Sequence, residues 1–149
     1  MPATHPSLEK IHASIPHRAP MLLVDEIVSQ DDKTIVCRKS FSADEYFFQG
    51  HYPEHPLVPG VILCESAVQA GAVLLVNIVS TDDGVPVLTR MGDVKFKKMV
   101  HPGDTIELHV KLDEIVSTAY YLTGQVKCDG KLAARLGFTC TIAPPSNEA

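Results

Sequence analysis

The amino-acid sequence predicts an α+β fold in which one buried helix is covered by an antiparallel sheet. Three observations carry that expectation. From Val61 to about Val79 the only polar side chains are Glu65, Ser66, Gln69 and Asn77, so this helix has no polar face to turn to water. After Gly84 the chain reads as strand throughout. The cleanest alternation runs from Asp104 to Val116, with Ile106, Leu108, Val110 and Leu112 on one side and Glu107, His109, Lys111 and Asp113 on the other. Asp129-Gly130, set between two such runs, signals a two-residue hairpin turn. A helix apolar all round needs burial on every side, and a flat sheet covers only part of it. The expected arrangement is a curved sheet wrapped around the helix, with self-association hiding the remainder.

Taken in order, Ser7 to Ala13 is expected to form a short helix with Ser7 as its cap and Glu9 in its first turn, ended by Pro16. Met21 to Val28 and Lys33 to Phe41 read as antiparallel strands joined across the polar turn Ser29-Gln30-Asp31-Asp32. Pro53, Pro56 and Pro59 then stiffen the chain, each fixing its own φ and pushing the residue before it toward extended geometry. Pro59 stands where a helix starts, because the first turn does not need its missing N–H. The polar segment Ser80 to Gly84 stops that helix. Val85 to Lys98, irregular at Gly92, is followed by strands at Asp104–Val116, Thr118–Cys128 and Lys131–Ile142, and Ala143-Pro144-Pro145 ends the sheet.

The 149 residues suit one domain, 1–149, large enough for a real core. With 45% apolar and 21% charged residues the composition is that of a globular protein. A net charge of −5 provides no global basic field, so nucleic acid and anionic membrane are not expected partners. The first residues lack a charged-then-apolar leader pattern, and the apolar run Leu57–Val79 is broken by Pro59, Glu65 and Gln69. A cytoplasmic protein without membrane insertion is expected. Cys37, Cys64, Cys128 and Cys140 lie far apart with no Cys-x-x-Cys pair, which reads as four reduced thiols packed as small hydrophobes.

Three features could carry chemistry. His51 lies in the proline-stiffened segment, and a fixed position is what proton transfer asks of a base. Glu65 sits among Leu63, Cys64, Ala67 and Val68. A carboxyl group withdrawn from water favours its protonated form, the form a general acid needs. Gln69, one turn later on the same face, can orient it. The helix start at Pro59-Gly60-Val61 offers free N–H groups and the positive end of a dipole, with Gly60 permitting close approach to a developing oxyanion. Metal is not expected, since Pro53 and Pro56 prevent His51 and His55 from sharing a helix face. No Gly-x-Ser-x-Gly elbow and no Gly-rich phosphate loop occur. One base, one acid and one anion-stabilising helix start beside a long apolar interior fit proton abstraction next to a carbonyl.

The stretch Phe48-Gln49-Gly50-His51-Tyr52-Pro53, continued by Pro56-Leu57-Val58-Pro59-Gly60-Val61 and Glu65-Ser66-Ala67-Val68-Gln69, resembles the signature of the (3R)-hydroxyacyl-[acyl-carrier-protein] dehydratases of type II fatty acid synthesis. Pro16–Asp25, Asp93–Lys97 and Val100–Asp104 agree in order and spacing, so the resemblance spans roughly residues 9 to 143. It implies a hotdog fold, with a long central helix wrapped by a curved antiparallel sheet of five to six strands. It further implies homodimers, often three to a hexamer, with an acyl tunnel at the dimer interface. His51 and Glu65 would be catalytic and come from opposite subunits. Gly60, Val61 and Gln69 would bind substrate, with the Gly60 N–H on the thioester carbonyl.

The implied reaction is cofactor-independent loss of water from a (3R)-3-hydroxyacyl chain on acyl carrier protein, giving the trans-2-enoyl product. A local basic patch of Arg90, Lys95, Lys97 and Lys98 is expected to meet the acidic carrier. Glu65 separates the chain from related dehydratase-isomerases, which carry aspartate there. Ala19 stands where an aromatic residue is usual, and Val87-Leu88 replaces the aromatic pair that often gates the tunnel. Rival readings are a hotdog acyl-CoA thioesterase with Glu65 activating water, the same dehydration in a polyketide or polyene pathway, and a non-catalytic acyl-binding scaffold.

Overall fold

The computed structural model describes residues 6–79 and 84–144. Helix α1 (Pro6–Ser14) precedes strands β1 (Glu26–Gln30) and β2 (Thr34–Ser40) and a 3-10 turn at Tyr46–Gln49. The central helix α2 (Gly60–Val76) follows, then β3 (Val85–Phe96), β4 (Thr105–Val116), β5 (Ala119–Cys128) and β6 (Lys131–Ala143). The strands form one antiparallel sheet in the order β1-β2-β4-β5-β6-β3.

Every residue of α2 from Ser66 to Leu75 is buried. The helix lies on the sheet row predicted from β4, where Ile106, Leu108, Val110 and Leu112 are buried, as are Leu136 and Phe138 of β6. Burial of each such side chain contributes about 1.5–3 kcal/mol. Close approach depends on Gly71, where a Cβ atom would lie 2.7 Å from the tip of the Phe138 ring. The β5–β6 hairpin turns at Asp129 (φ 53°) and Gly130 (φ 75°), the double positive φ that an Asp-Gly pair supplies.

The strand expected at Met21–Val28 is shorter and later: β1 begins at Glu26 and continues through Gln30, Asp25 N donates to Arg38 O of β2 at 2.8 Å, and Met21–Val24 pairs with no strand. Its backbone is held by side chains of α2 instead. Gln69 Oε1 accepts from Leu23 N at 2.7 Å, Gln69 Nε2 donates to Met21 O at 2.9 Å, and Ser66 Oγ donates to Leu23 O at 2.6 Å. Ser7 lies within α1 rather than capping it, and its hydroxyl donates to Ile27 O. Helix α2 ends at Val76, a turn before the expected Val79, because Asn77 turns its amide back onto Val73 O at 2.7 Å. The stop segment expected at Ser80–Gly84 is described only at Gly84.

The irregularity expected at Gly92 is a bulge in the β3–β6 register between Gly92 and Lys95, with Asp93 at φ 52°. In β6 an additional bulge buries Ala133 out of alternation, and Ala133 O accepts from both Lys97 N and Lys98 N. This anchors the end of β3 beside the start of α2. None of the helices among the described residues is long and apolar enough to cross a membrane.

Candidate active site

The segment from Tyr46 to Pro59 carries His51 to the start of α2. The 3-10 turn buries Phe47 and Phe48, whose rings meet edge-on at 4.9 Å, and Phe47 O accepts the His51 N–H at 3.1 Å. The three prolines leave few backbone donors, most of them bonded within the loop. Leu57 N donates to His51 O at 3.0 Å, and Val58 N donates to Val100 O at 2.8 Å, tying the loop to the β3–β4 connection.

The imidazole of His51 is half-buried, stacked on the Tyr52 ring at 4.3 Å, with Nδ1 3.1 Å from Leu57 O. A carbonyl oxygen can only accept, so that contact is a hydrogen bond only when Nδ1 carries the proton. The neutral ring then presents Nε2 with a free lone pair, the form of a general base.

Helix α2 starts at Gly60 with Pro59 as its N-cap and no side-chain cap. Ile62 N and Leu63 N turn back to Pro59 O, while no described group accepts from Gly60 N or Val61 N. Two free donors at the positive end of a 17-residue helix are available to an oxyanion. The missing side chain of Gly60 is used by the Phe96 ring, which lies 2.8 Å from where a Cβ would be. A cavity of about 510 Å³ opens here, lined by Val58, Gly60, Val61, Leu63, Phe96, Lys97, Lys98 and Met99 among others.

Glu65 lies one turn further along α2 and is half-buried within the single chain, more exposed than its apolar neighbours in sequence suggest. Its Oε2 accepts from Gln69 Nε2 at 3.5 Å, a long contact. Gln69 itself is 1% exposed, with its oxygen and both amide directions already engaged by Leu23, Met21 and Glu65. Of the predicted residues, the structure gathers Gly60, Val61, Lys97 and Lys98 around one cavity and links Gln69 to Glu65. Arg90 and Lys95 stand exposed on β3 outside that cavity, and Lys98 pairs with Asp129 at 3.6 Å. Among the described residues no hydrogen bond joins His51 to Glu65 within the chain.

Sequence reasoning missed the polar groups that hold these elements. Ser66 has no role in the sequence reading beyond being one of the few polar residues of the helix, whereas its hydroxyl fixes Leu23. Lys39 was not singled out, although strand alternation puts it on the inward row of β2 with Ile35 and Cys37. A charge in that row is the signal that would have found it.

Comparison with known proteins agrees with this architecture. The family model described as FabA-like domain matches residues 15–136. A protein of Clostridium perfringens named 3-hydroxyacyl-[acyl-carrier-protein] dehydratase FabZ is 35% identical over 127 residues, covering 85% of this chain and 91% of its own length. A Rickettsia bellii protein of the same name is 37% identical over 134 residues, covering 89% and 92%. Among solved structures, the dehydratase heterocomplex ApeI:P from Xenorhabdus doucetiae superposes with a TM-score of 0.74 at 17% identity over 91% of each chain. A hypothetical thioesterase of Streptococcus pneumoniae with coenzyme A superposes at 0.63 with 12% identity, over 80% of this chain and 88% of its own. Those two likenesses concern the fold alone, a sheet wrapped on a central helix of the hotdog kind. With its model matching most of the described chain and FabZ relatives above 30% identity over more than four fifths of it, this protein belongs to the FabA-like dehydratase family.

Proposed function

We propose that residues 1–149 act as one dehydratase domain that converts (3R)-3-hydroxyacyl-[acyl-carrier-protein] to the trans-2-enoyl thioester in type II fatty acid elongation. The relatives named above support the substrate and reaction class. The observation that carries the mechanism is the His51 ring, whose Nδ1 is committed to Leu57 O so that Nε2 is left as the base. His51 Nε2 takes the C2 proton, and the electron pair of that bond becomes the C2=C3 double bond. The bond from C3 to the hydroxyl oxygen breaks, and protonated Glu65 gives its proton to the departing oxygen, releasing water. Gly60 N–H, with Val61 at its side, steadies the charge that builds on the thioester oxygen. Proton exchange with solvent resets both side chains. Gln69 contributes by holding Glu65. Both transfers are acid–base steps, so the reaction calls for no cofactor.

Glu65 is half-buried in one chain, and His51 does not reach it there by any hydrogen bond. The reading therefore has His51 of one subunit face Glu65 of another, in a homodimer or a trimer of dimers. The exposed apolar side chains of β3, including Val87, Leu88 and Met91, support such pairing. Lys97 and Lys98 at the cavity, with Arg90 and Lys95 on the same strand and its end, form the surface for the acidic carrier protein. Four buried, unbridged thiols fit a cytoplasmic setting.

His51→Ala and Glu65→Gln should each lower turnover by about two orders of magnitude or more with the fold retained. Mixing and refolding the two inactive variants should restore activity, because a mixed dimer keeps one site with both groups intact. Wild-type turnover by either variant sinks the mechanism, and mixtures that stay inactive sink the shared site. Reversing the charges of Lys97 and Lys98 should weaken carrier-protein binding, and more so at low salt. An unchanged affinity would remove the patch from the proposal.

A further inference from the structure

Lys39 is a buried cation on the core-facing row of β2. Its residue is 6% exposed, although it shares that row with Ile35 at 1% and Cys37 at 0%. A lone ammonium there would be strongly destabilising, so its partners matter. Nζ lies 2.8 Å from Glu45 Oε1 and 3.6 Å from Asp25 Oδ1, and 5.5 Å from the centre of the Phe41 ring.

Glu45 is the residue that begins the 3-10 turn, yet its side chain makes no cap bond to that turn. The carboxylate is directed to Lys39 instead, while Glu45 O accepts from Phe48 N at 3.1 Å. Two residues on, Phe47 O takes the N–H of His51. Asp25 closes the other side, with Oδ2 accepting from Ser40 N at 2.7 Å. A line of polar contacts and backbone thus runs from β2, next to the edge of the sheet, through Lys39 and Glu45, into the turn that precedes His51. Apolar packing of Phe47 on Phe41 at 6.0 Å holds the same turn without directional preference. The ion pair supplies the direction.

We propose that Lys39 and Glu45 are positioning residues for His51, and that the pair formed by the buried ammonium and the half-buried carboxylate sets the orientation of the imidazole rather than serving stability alone. This rests on His51 being the base. Replacing a buried pair with apolar groups is often neutral for stability, so a stability role alone does not account for its presence in a core row. A misplacement of about 1 Å at a reacting group lowers turnover by as much as 100-fold.

The test uses Lys39→Met and Glu45→Gln in the full chain. Dehydration kinetics, thermal unfolding and imidazole nitrogen NMR are measured, with the His51 ring signals assigned by their loss in His51→Ala. The expected result is kcat about tenfold or more below wild type, KM within about twofold, and loss of the single Nδ1–H tautomer at His51. Glu45→Gln keeps an acceptor beside Lys39 and serves should Lys39→Met not fold. A folded variant with wild-type kcat, or one whose kcat falls while the His51 signals stay as in wild type, overturns the proposal. If His51→Ala itself turns over normally, the reading beneath it fails instead, and the two failures are thereby told apart.

Discussion

Replacing Gln69 by leucine removes the amide that fastens residues 21–23 to α2 while keeping nearly the same volume. Three contacts go, and they are not equal. Leu23 is 1% exposed, so its N–H, now bonded to Gln69 Oε1 at 2.7 Å, would be left without water or partner. Such an orphan costs about 1–3 kcal/mol. Met21 is 41% exposed, so water can replace the amide at Met21 O with little loss. The 3.5 Å contact to Glu65 is too long to weigh much. A net loss of about 2 kcal/mol lowers the unfolding midpoint by roughly 4–8 °C for a chain of this size. Thermal unfolding followed by circular dichroism, at one fixed protein concentration, measures it. Ser66→Ala removes the neighbouring bond to Leu23 O, and since both side chains hold one residue, the double variant should lose less than the sum of the singles. A Gln69→Leu midpoint within about 1 °C of wild type would refute the claim that this amide, rather than apolar packing, holds the segment.

Asp31 accepts hydrogen bonds from Lys33 N, Thr34 N and the Thr34 hydroxyl, and these, the Lys33 N–H foremost, hold its carboxyl below the ordinary 3.8. A lowered value in the folded state means that the contribution is complete above 3.8 and vanishes as pH falls through the folded value. The midpoint gap between wild type and Asp31→Ala should therefore close on acidification, and a gap that widens instead would contradict the assignment. Burial pushes the Cys37 thiol up to about 12 and the Cys140 thiol to about 11, and raises Cys64 and Cys128 as well. Native protein should thus leave a thiol reagent near pH 8 almost unreacted, while denatured chain titrates all four; rapid labelling of Cys37 in native protein would count against the burial described.

Much of the sheet was legible because its signals are local. The alternation at Ile106–Leu112 and the Asp129-Gly130 turn need nothing beyond their own neighbours, and both are where expected. Met21–Val24 misled because an apolar run reads as strand whatever its backbone bonds to. Here the partners are Gln69 and Ser66, more than 40 residues away. The Lys39–Glu45 pair was hidden for a related reason: nothing at Glu45 announces that the chain folds back toward β2. For the site, residue types and stiffening prolines pointed to His51, and helix-start chemistry pointed to Gly60 and Val61. Glu65 is less covered than its apolar sequence neighbours suggest, because burial of Leu63, Cys64 and Ser66 on the same helix leaves its own side of α2 partly open.

The two flanks of the sheet differ in kind. β1 is five residues long, carries Glu26, Ser29 and Gln30, and is broken in register after Ile27, so a further strand finds little to zip onto. β3 is twelve residues long and leaves Val85, Val87, Leu88 and Met91 bare. Growth from such a slab can proceed from one side only. In the pairing proposed above, two copies joined along that side would use it up and leave the blunt flanks outward, closing the assembly instead of extending it as a ribbon.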